Sequence, residues 1–368
     1  MTSARRGLTM RGMTDPGTPN LAPPDLGRLR AALAEAAHWY RERLLVDRPP
    51  LAVSTLADRG LADLSADTVA GRRWQLGYAP ASRGSTALVE HLRGCGFTDR
   101  ELLDAGVAVP GRYGGVIDAL RHRLVVPLID VSTKTGGGAG GGGVVGFTAR
   151  RLVDTDTAGP KWVNTATTAL YRKGEHLFGA AQQTDLIAAG RGRPVLVEGA
   201  VDAIAVSLAG HIGLAAGGTR LTIHHADALG QVLAVTGGPL LLAYDNDPAG
   251  QAATLRAADL LRGLETHVVQ LPAGQDPADV LVAGGFRGLR RALGESVPLV
   301  DSAIASRLRR WAAHTGNPVA LVDAVREVAP LVTAAPAEDR ARLVGLIAER
   351  LRLPVEVVTG ALLDAVAP

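Results

Sequence analysis

An α/β fold is predicted by this 368-residue sequence, and three observations carry the prediction. Beyond Gly190, short apolar runs alternate with helix-patterned segments, the signature of a parallel sheet buried on both faces. Upstream, helices are mixed with longer, arginine-bearing strands. Downstream of residue 280 the pattern is helical throughout. The chain therefore divides into a disordered tail over 1–24, an N-terminal α+β basic subdomain over 25–189, a parallel-sheet domain over 190–279 and a C-terminal helical subdomain over 280–368.

In chain order, Leu26, Leu29, Leu33, Ala36, Ala37 and Tyr40 recur at helical spacing, and Pro49 and Pro50 stop that helix. A second helix runs from Ala52 to near Gly60. Residues 74–78, rich in aromatics, read as a strand. Helices follow over 86–93 and 98–105, the latter closed by Gly106. Residues 121–129 form a strand with basic residues at its start. Residues 136–143, almost all glycine, read as a flexible hairpin tip between strands 124–130 and 144–150. They lack the Gly-Lys-Ser/Thr and helix start of a phosphate loop. Strands at 194–197, 212–216, 240–244 and 267–271 alternate with helices at 200–209 and 249–262. Helices at 337–351 and 355–365 end the chain.

Composition narrows the classes. Hydrophobic residues at 47% and charged residues at 20% describe a globular protein, not a disordered one. The net charge of +3 permits polyanion binding without requiring it. Lys134, Lys161 and Lys173 are the only lysines. Cys95 is the only cysteine, which excludes an intramolecular disulfide, fits a reducing cytoplasm and rules out a cysteine-rich zinc module within the chain. The histidines are scattered, so no zinc is expected. No apolar run is long enough to span a bilayer, so no membrane partner is expected.

Two segments carry the chemistry: Val195-Leu196-Val197-Glu198-Gly199-Ala200-Val201-Asp202, and Leu241-Leu242-Ala243-Tyr244-Asp245-Asn246-Asp247-Pro248-Ala249-Gly250. Each sets carboxylates where an apolar strand gives way to a helix, the edge at which open parallel sheets bind ligands. If the strands are neighbours, Glu198, Asp245 and Asp247 converge. Crowded carboxylates repel unless cations lie between them, and an all-oxygen set selects magnesium or manganese. Such ions suit phosphoryl transfer. The plainer reading of an aspartate at such a junction is a helix cap, a rival that weighs equally for Asp202 and less for Asp247. Glu198 is a poor cap.

Glu-Gly-x-x-Asp-Ala after one apolar strand and Asp-x-Asp-x-Ala-Gly after another resemble the TOPRIM domain. The upstream segments Arg121-His122-Arg123-Leu124-Val125-Val126-Pro127-Leu128, Gly146-Phe147-Thr148-Ala149-Arg150, Pro160-Lys161-Trp162-Val163-Asn164 and Tyr171-Arg172-Lys173-Gly174 follow the order of the basic half of DnaG-type primase cores. The resemblance spans about residues 26–365 and includes Arg59-Gly60-Leu61. It implies a TOPRIM parallel-sheet domain in a DNA primase catalytic core that makes RNA primers on single-stranded DNA from ribonucleoside triphosphates. It further implies metal ligands Glu198, Asp202, Asp245, Asp247 and Asp276, with Glu198, Asp245 and Asp247 catalytic. Arg123, Arg150, Lys161, Asn164 and Lys173 would bind nucleotide and template. Where the family carries Asp-Pro-Asp, this chain has Asp276-Pro277-Ala278-Asp279, which keeps Asp276 and puts Asp279 in doubt. The family's zinc-binding and helicase-binding domains are not found, so a replicative helicase and a separate zinc-domain protein are the partners implied. The alternatives are another TOPRIM enzyme, a topoisomerase or nuclease, or a non-catalytic DNA-binding replication module.

Overall fold

The computed structural model describes residues 23–366 except 82, 131–141, 154–158, 219, 310 and 312–317. Lys134 and nearly all of the glycine run lie outside the described residues, as does the tail up to residue 22. The first helix, α1 (Leu26–Val46), starts where the Asp25 carboxylate accepts the amides of Gly27 and Arg28. The prolines expected to end it also begin the next, since Pro50 is the first residue of α2 (Pro50–Ala57).

The strand expected over 74–78 is corrected. Trp74 closes a short helix, α3 (Val69–Trp74), which is capped by the Thr68 hydroxyl. Gln75 then turns the chain in a left-handed conformation before β1 (Gly77–Ala79). Trp74 is fully buried and stacks on Phe178 with ring centroids 5.5 Å apart, so its packing rather than its strand propensity decides.

The helices α4 (Ala87–Gly94) and α5 (Asp99–Asp104) follow as expected. A small hairpin of β2 (Ala108–Pro110) and β3 (Val116–Asp118) comes next. Then β4 (Arg123–Asp130) pairs antiparallel with β5 (Gly143–Arg151), and β5 with β6 (Trp162–Asn164), in a sheet ordered β1-β4-β5-β6.

A short helix, α6 (Thr184–Ala188), leads into the second sheet, made of β7 (Pro194–Val197), β8 (Ile212–Ala215), β9 (Leu240–Leu242), β10 (Thr266–Val269) and β11 (Ser296–Pro298), ordered β11-β10-β9-β7-β8. The first four of these strands in chain order are mutually parallel, with the register Val195↔Leu241 and Leu196↔Leu242 between β7 and β9. The crossovers are α7 (Ala200–Leu208), α8 (Ile223–Thr236) and α9 (Pro248–Leu260). The edge strand β11 runs antiparallel to β10, so the region beyond 280 is not wholly helical. Its helices are α10 (Pro277–Gly294), α11 (Leu299–Arg309), α12 (Pro318–Ala334), α13 (Ala337–Leu351) and α14 (Val355–Val366).

Two features lock the basic sheet to the parallel one. A single apolar core joins Leu44, Trp74, Leu128 and Phe178 to Val195, Ile204, Leu241 and Leu281. At the edge of β8, Phe178 and Ala215 exchange backbone hydrogen bonds, while the Gln183 amide both donates to and accepts from Gly213. The opposite face of the parallel sheet packs on α11, α12 and α13 through Leu196, Leu214, Leu242, Ile304, Val328 and Ile347. No helix among the described residues is long and apolar enough to cross a membrane.

Candidate active site

Neighbouring parallel strands bring the two acidic segments together. β7 ends one residue before Glu198, and the Ala243 amide donates to the Leu196 carbonyl at 2.9 Å, carrying the pairing to within two residues of Asp245. Glycine is required at Gly250, where a Cβ would run into the Asp245 carbonyl. That contact folds the start of α9 back over the end of β9.

A cleft of about 320 Å³ opens at these strand ends. Glu198, Asp202, Asp245 and Asp276 line one side, and Arg150, Lys161, Asn164 and Lys173 come to it from the basic unit. Eight of the ten expected site residues therefore meet in one space. Arg123 does not line it; its guanidinium donates to the carbonyls of Ala149, Pro160 and Lys161, tying β4 to the approach to β6. Asp247 is exposed and caps α9, accepting the Gly250 amide at 2.8 Å. Its charge nonetheless acts on Glu198 and Asp245.

The carboxylates differ in what compensates them. Glu198 Oε1 and Asp245 Oδ1 are buried with no hydrogen-bond partner among the described residues. Burial, then the charge of Asp245 and Asp247, pushes the Glu198 carboxyl above its ordinary range. Asp245 is raised likewise by burial, then by Asp276 and Asp247, with Lys161 acting against the rise. Asp202 is raised well above its usual value by burial, Asp276 and Asp245. It does not cap its own helix, whose N-cap is Gly199; its Oδ1 accepts the Ala278 amide at the start of α10.

Unpartnered buried anions of this kind are costly unless a cation completes them, so the donor set fits a hard divalent ion. The oxygens are more spread than the sequence expectation of one small volume. Among the described residues no three of them bring ligand atoms within 4.8 Å of one another. That openness fits an ion retaining several waters or phosphate oxygens, the habit of magnesium.

Asp276 and Asp279 form a capping box at the start of α10, with Asp276 Oδ1 accepting the Asp279 amide at 2.6 Å. Arg59 bridges both, at 3.3 Å to Asp276 and 3.5 Å to Asp279. Arg59 also lines the cleft. In the sequence Arg59 stands out only through the resemblance, as an arginine between a helix end and Gly60. The Gly217–Gly218 pair, which also lines the cleft and whose Gly217 carbonyl accepts the Asn164 side chain at 2.9 Å, was missed as well.

The RNA polymerase domain of Mycobacterium tuberculosis primase DnaG is 31% identical to this chain and superposes with a TM-score of 0.70, covering 88% of this chain and 99% of that one. The chain belongs to the DnaG-type primase catalytic core family. The family model for the DNA primase catalytic core, N-terminal domain, matches residues 39–184 of this primase-family core, and a Toprim-like model matches residues 195–281. The same Mycobacterium tuberculosis domain is also known in complex with a double-stranded DNA oligomer with a 6-nucleotide overhang, at 31% identity and a TM-score of 0.69 over 89% of this chain and 98% of that one. The Streptomyces coelicolor DNA primase is 35% identical over 338 residues, which is 90% of this chain and 49% of that protein. The chain thus spans about half the length of the curated relatives it matches.

Proposed function

We propose that this chain is a primase catalytic core that joins ribonucleotides on a single-stranded DNA template. One observation carries the reading: buried, unpartnered carboxylate oxygens of Glu198 and Asp245 face Arg150, Lys161 and Lys173 across a single cleft. The reaction is attack by the 3′-hydroxyl of one nucleotide on the α-phosphate of the next, with pyrophosphate leaving.

Glu198 and Asp245 are the central metal ligands and catalytic residues, with Asp202, Asp247 and Asp276 supporting them. When bound, magnesium or manganese supplies charge neutralisation at the attacking and leaving oxygens. Lys161 and Lys173, both exposed, and Arg150 neutralise triphosphate and template backbone. Asn164, held by the Gly217 carbonyl, lines the cleft and orients a nucleotide rather than adding charge. Arg123 serves this surface indirectly, by fixing the segment that carries Lys161.

The reading also includes the division of residues 25–368 at 189/190 and 279/280, with α10 spanning the second boundary and β11 returning to the parallel sheet, action in the cytoplasm, and cooperation with a helicase or a zinc-domain protein. Favouring nucleic acid as the partner is the Mycobacterium tuberculosis relative known with a DNA oligomer. The deciding assay is template-dependent incorporation of ribonucleotides with magnesium or manganese. Wild type should extend on single-stranded templates and Asp245→Ala should not. Plasmid relaxation or nicking in place of synthesis would transfer the chain to the topoisomerase or nuclease class.

A further inference from the structure

A second group of ligating side chains lies on the N-terminal unit, away from the acidic cleft and lined by none of its residues. Glu35 projects from the middle of α1. His91 and Cys95 come from the last turn of α4 and its C-cap. Their four-residue spacing sets both on one helix face, a common arrangement for two ligands of one ion. The ligand atoms Glu35 Oε1, His91 Nε2 and Cys95 Sγ all lie within 4.8 Å of one another, the only such trio among the described residues.

The distances resemble one face of a coordination tetrahedron. With ordinary zinc–sulfur, zinc–nitrogen and zinc–oxygen bonds, the ligand–ligand edges of a tetrahedral site are about 3.4–3.6 Å. Here Cys95 Sγ is 3.9 Å from Glu35 Oε1 and 3.8 Å from His91 Nε2. The third edge, His91 Nε2 to Glu35 Oε1, is 2.7 Å, a hydrogen bond that an ion would replace.

The same geometry argues against a nucleophilic triad. A histidine relaying a proton from thiol to carboxylate uses its two ring nitrogens on opposite sides. In this cluster both contacts converge on Nε2 and on one oxygen of Glu35. The His91 ring is packed beside the Trp39 indole, with centroids 5.9 Å apart, which limits its swing. Among the described residues Glu35 has no arginine or lysine partner, and His91 is its only ion-pair contact. Cys95 is exposed and free, so an ion has access.

We propose that Glu35, His91 and Cys95 form a binding site for one zinc ion, with the fourth position open to water or an external ligand. The mixed sulfur, nitrogen and oxygen set suits zinc and not magnesium, so this site and the acidic cleft sort ions by softness. Binding breaks the Cys95 S–H bond, gives its proton to solvent and forms a zinc–thiolate bond. This departs from the sequence expectation of no zinc. That expectation weighed cysteine-rich modules and adjacent histidines, whereas the third ligand here lies 56 residues from His91 in the chain.

The lone cysteine makes the test specific. The whole chain, freed of any polyhistidine tag, is titrated with cobalt(II) alone and then with zinc alone. A near-ultraviolet thiolate-to-cobalt band is expected at one ion per chain, displaced by zinc and undisturbed by millimolar magnesium. Cys95→Ser should abolish the band, and His91→Ala and Glu35→Gln should each weaken zinc binding at least tenfold. Asp245→Asn should leave it intact, which separates this site from the acidic cleft. Thermal melts of the variants establish that they fold. In parallel, zinc should slow modification of Cys95 by a thiol reagent in the wild type and not in His91→Ala. Absence of the band would overturn the site. So would a band unchanged in both His91→Ala and Glu35→Gln, which would mean a solitary thiol binding cobalt.

Discussion

Two acidic groups border the same cleft, and they are built on opposite principles. Asp276 and Asp279 cap each other's amides and share Arg59, so every charge there has a partner within the protein. Glu198 and Asp245 keep buried oxygens unpartnered, and burial with neighbouring carboxylates raises the proton affinity of each. The first arrangement holds α10 and α2 in place. The second crowds like charges at the strand ends, which is expected to disfavour the folded chain at neutral pH when no cation is bound. On the proposed reading, the difference teaches that uncompensated charge marks a reacting centre more sharply than acidity alone. Substitutions that remove charge from each group test whether the contrast is functional.

The largest effect is expected at the unpartnered pair. Asp245→Ala and Glu198→Gln should each reduce ribonucleotide incorporation by at least about 100-fold, since losing a ligand for the reacting ions removes about 3 kcal/mol or more of transition-state stabilisation. Single-strand affinity measured by anisotropy should change less than threefold. If incorporation by Asp245→Ala stays within tenfold of wild type, the pair is not the reacting centre.

Next comes the wall that faces them. Lys161→Ala and Lys173→Ala should each weaken single-strand binding several-fold and lower the slope of log affinity against log salt by about 0.7. Arg123→Ala should instead leave that slope nearly unchanged and cost stability, because its guanidinium is committed to three backbone carbonyls. Equal salt slopes for Lys161→Ala and wild type would remove that lysine from the template path.

A smaller effect belongs to the compensated group. Asp279→Ala removes half of the capping box and one contact of Arg59, which should cost about 1 kcal/mol of stability in denaturant unfolding. Incorporation should fall less than tenfold. A loss as deep as that of Asp245→Ala would erase the distinction between the two groups and give Asp279 a direct part in the chemistry.

Much of this contrast was legible in the sequence, and its limits are physical. Glu198 stood out because a glutamate after four apolar residues serves no local purpose, and the strands on either side were apolar enough to predict a parallel sheet. The edge strand β11 was invisible because three residues become a strand only by pairing with β10. The side-chain type of Trp74 points to a strand, while a cap at Thr68 and stacking on Phe178 make it the end of a helix. Arg59 could not be matched to Asp276, 217 residues away, by any local pattern. The sequence offers a cap at Asp247, but its exposure and separation from the cleft lining depend on how α9 folds back at Gly250.

The smallest effect has the most diagnostic sign. The carboxyls of Glu198, Asp202 and Asp245 are all raised in the folded chain, whereas Glu101, paired with Arg28, is lowered to about 2. A raised carboxyl binds more protons folded than unfolded between its unfolded value, about 4, and its folded one. Across that window its contribution to stability falls as pH rises, opposite to Glu101, whose contribution is present at neutral pH and lost on acidification. In EDTA, Asp245→Asn should therefore melt slightly above wild type at pH 7.5, by no more than about 1 kcal/mol because solvent screens part of the repulsion. The gap should narrow towards pH 5, as the wild-type carboxyls take up protons. Millimolar magnesium should then stabilise wild type more than Asp245→Asn, because bound cations replace the missing partners. A variant that is less stable than wild type in EDTA at every pH would mean that Asp245 is held by favourable contacts, and the contrast between the two acidic groups would fail.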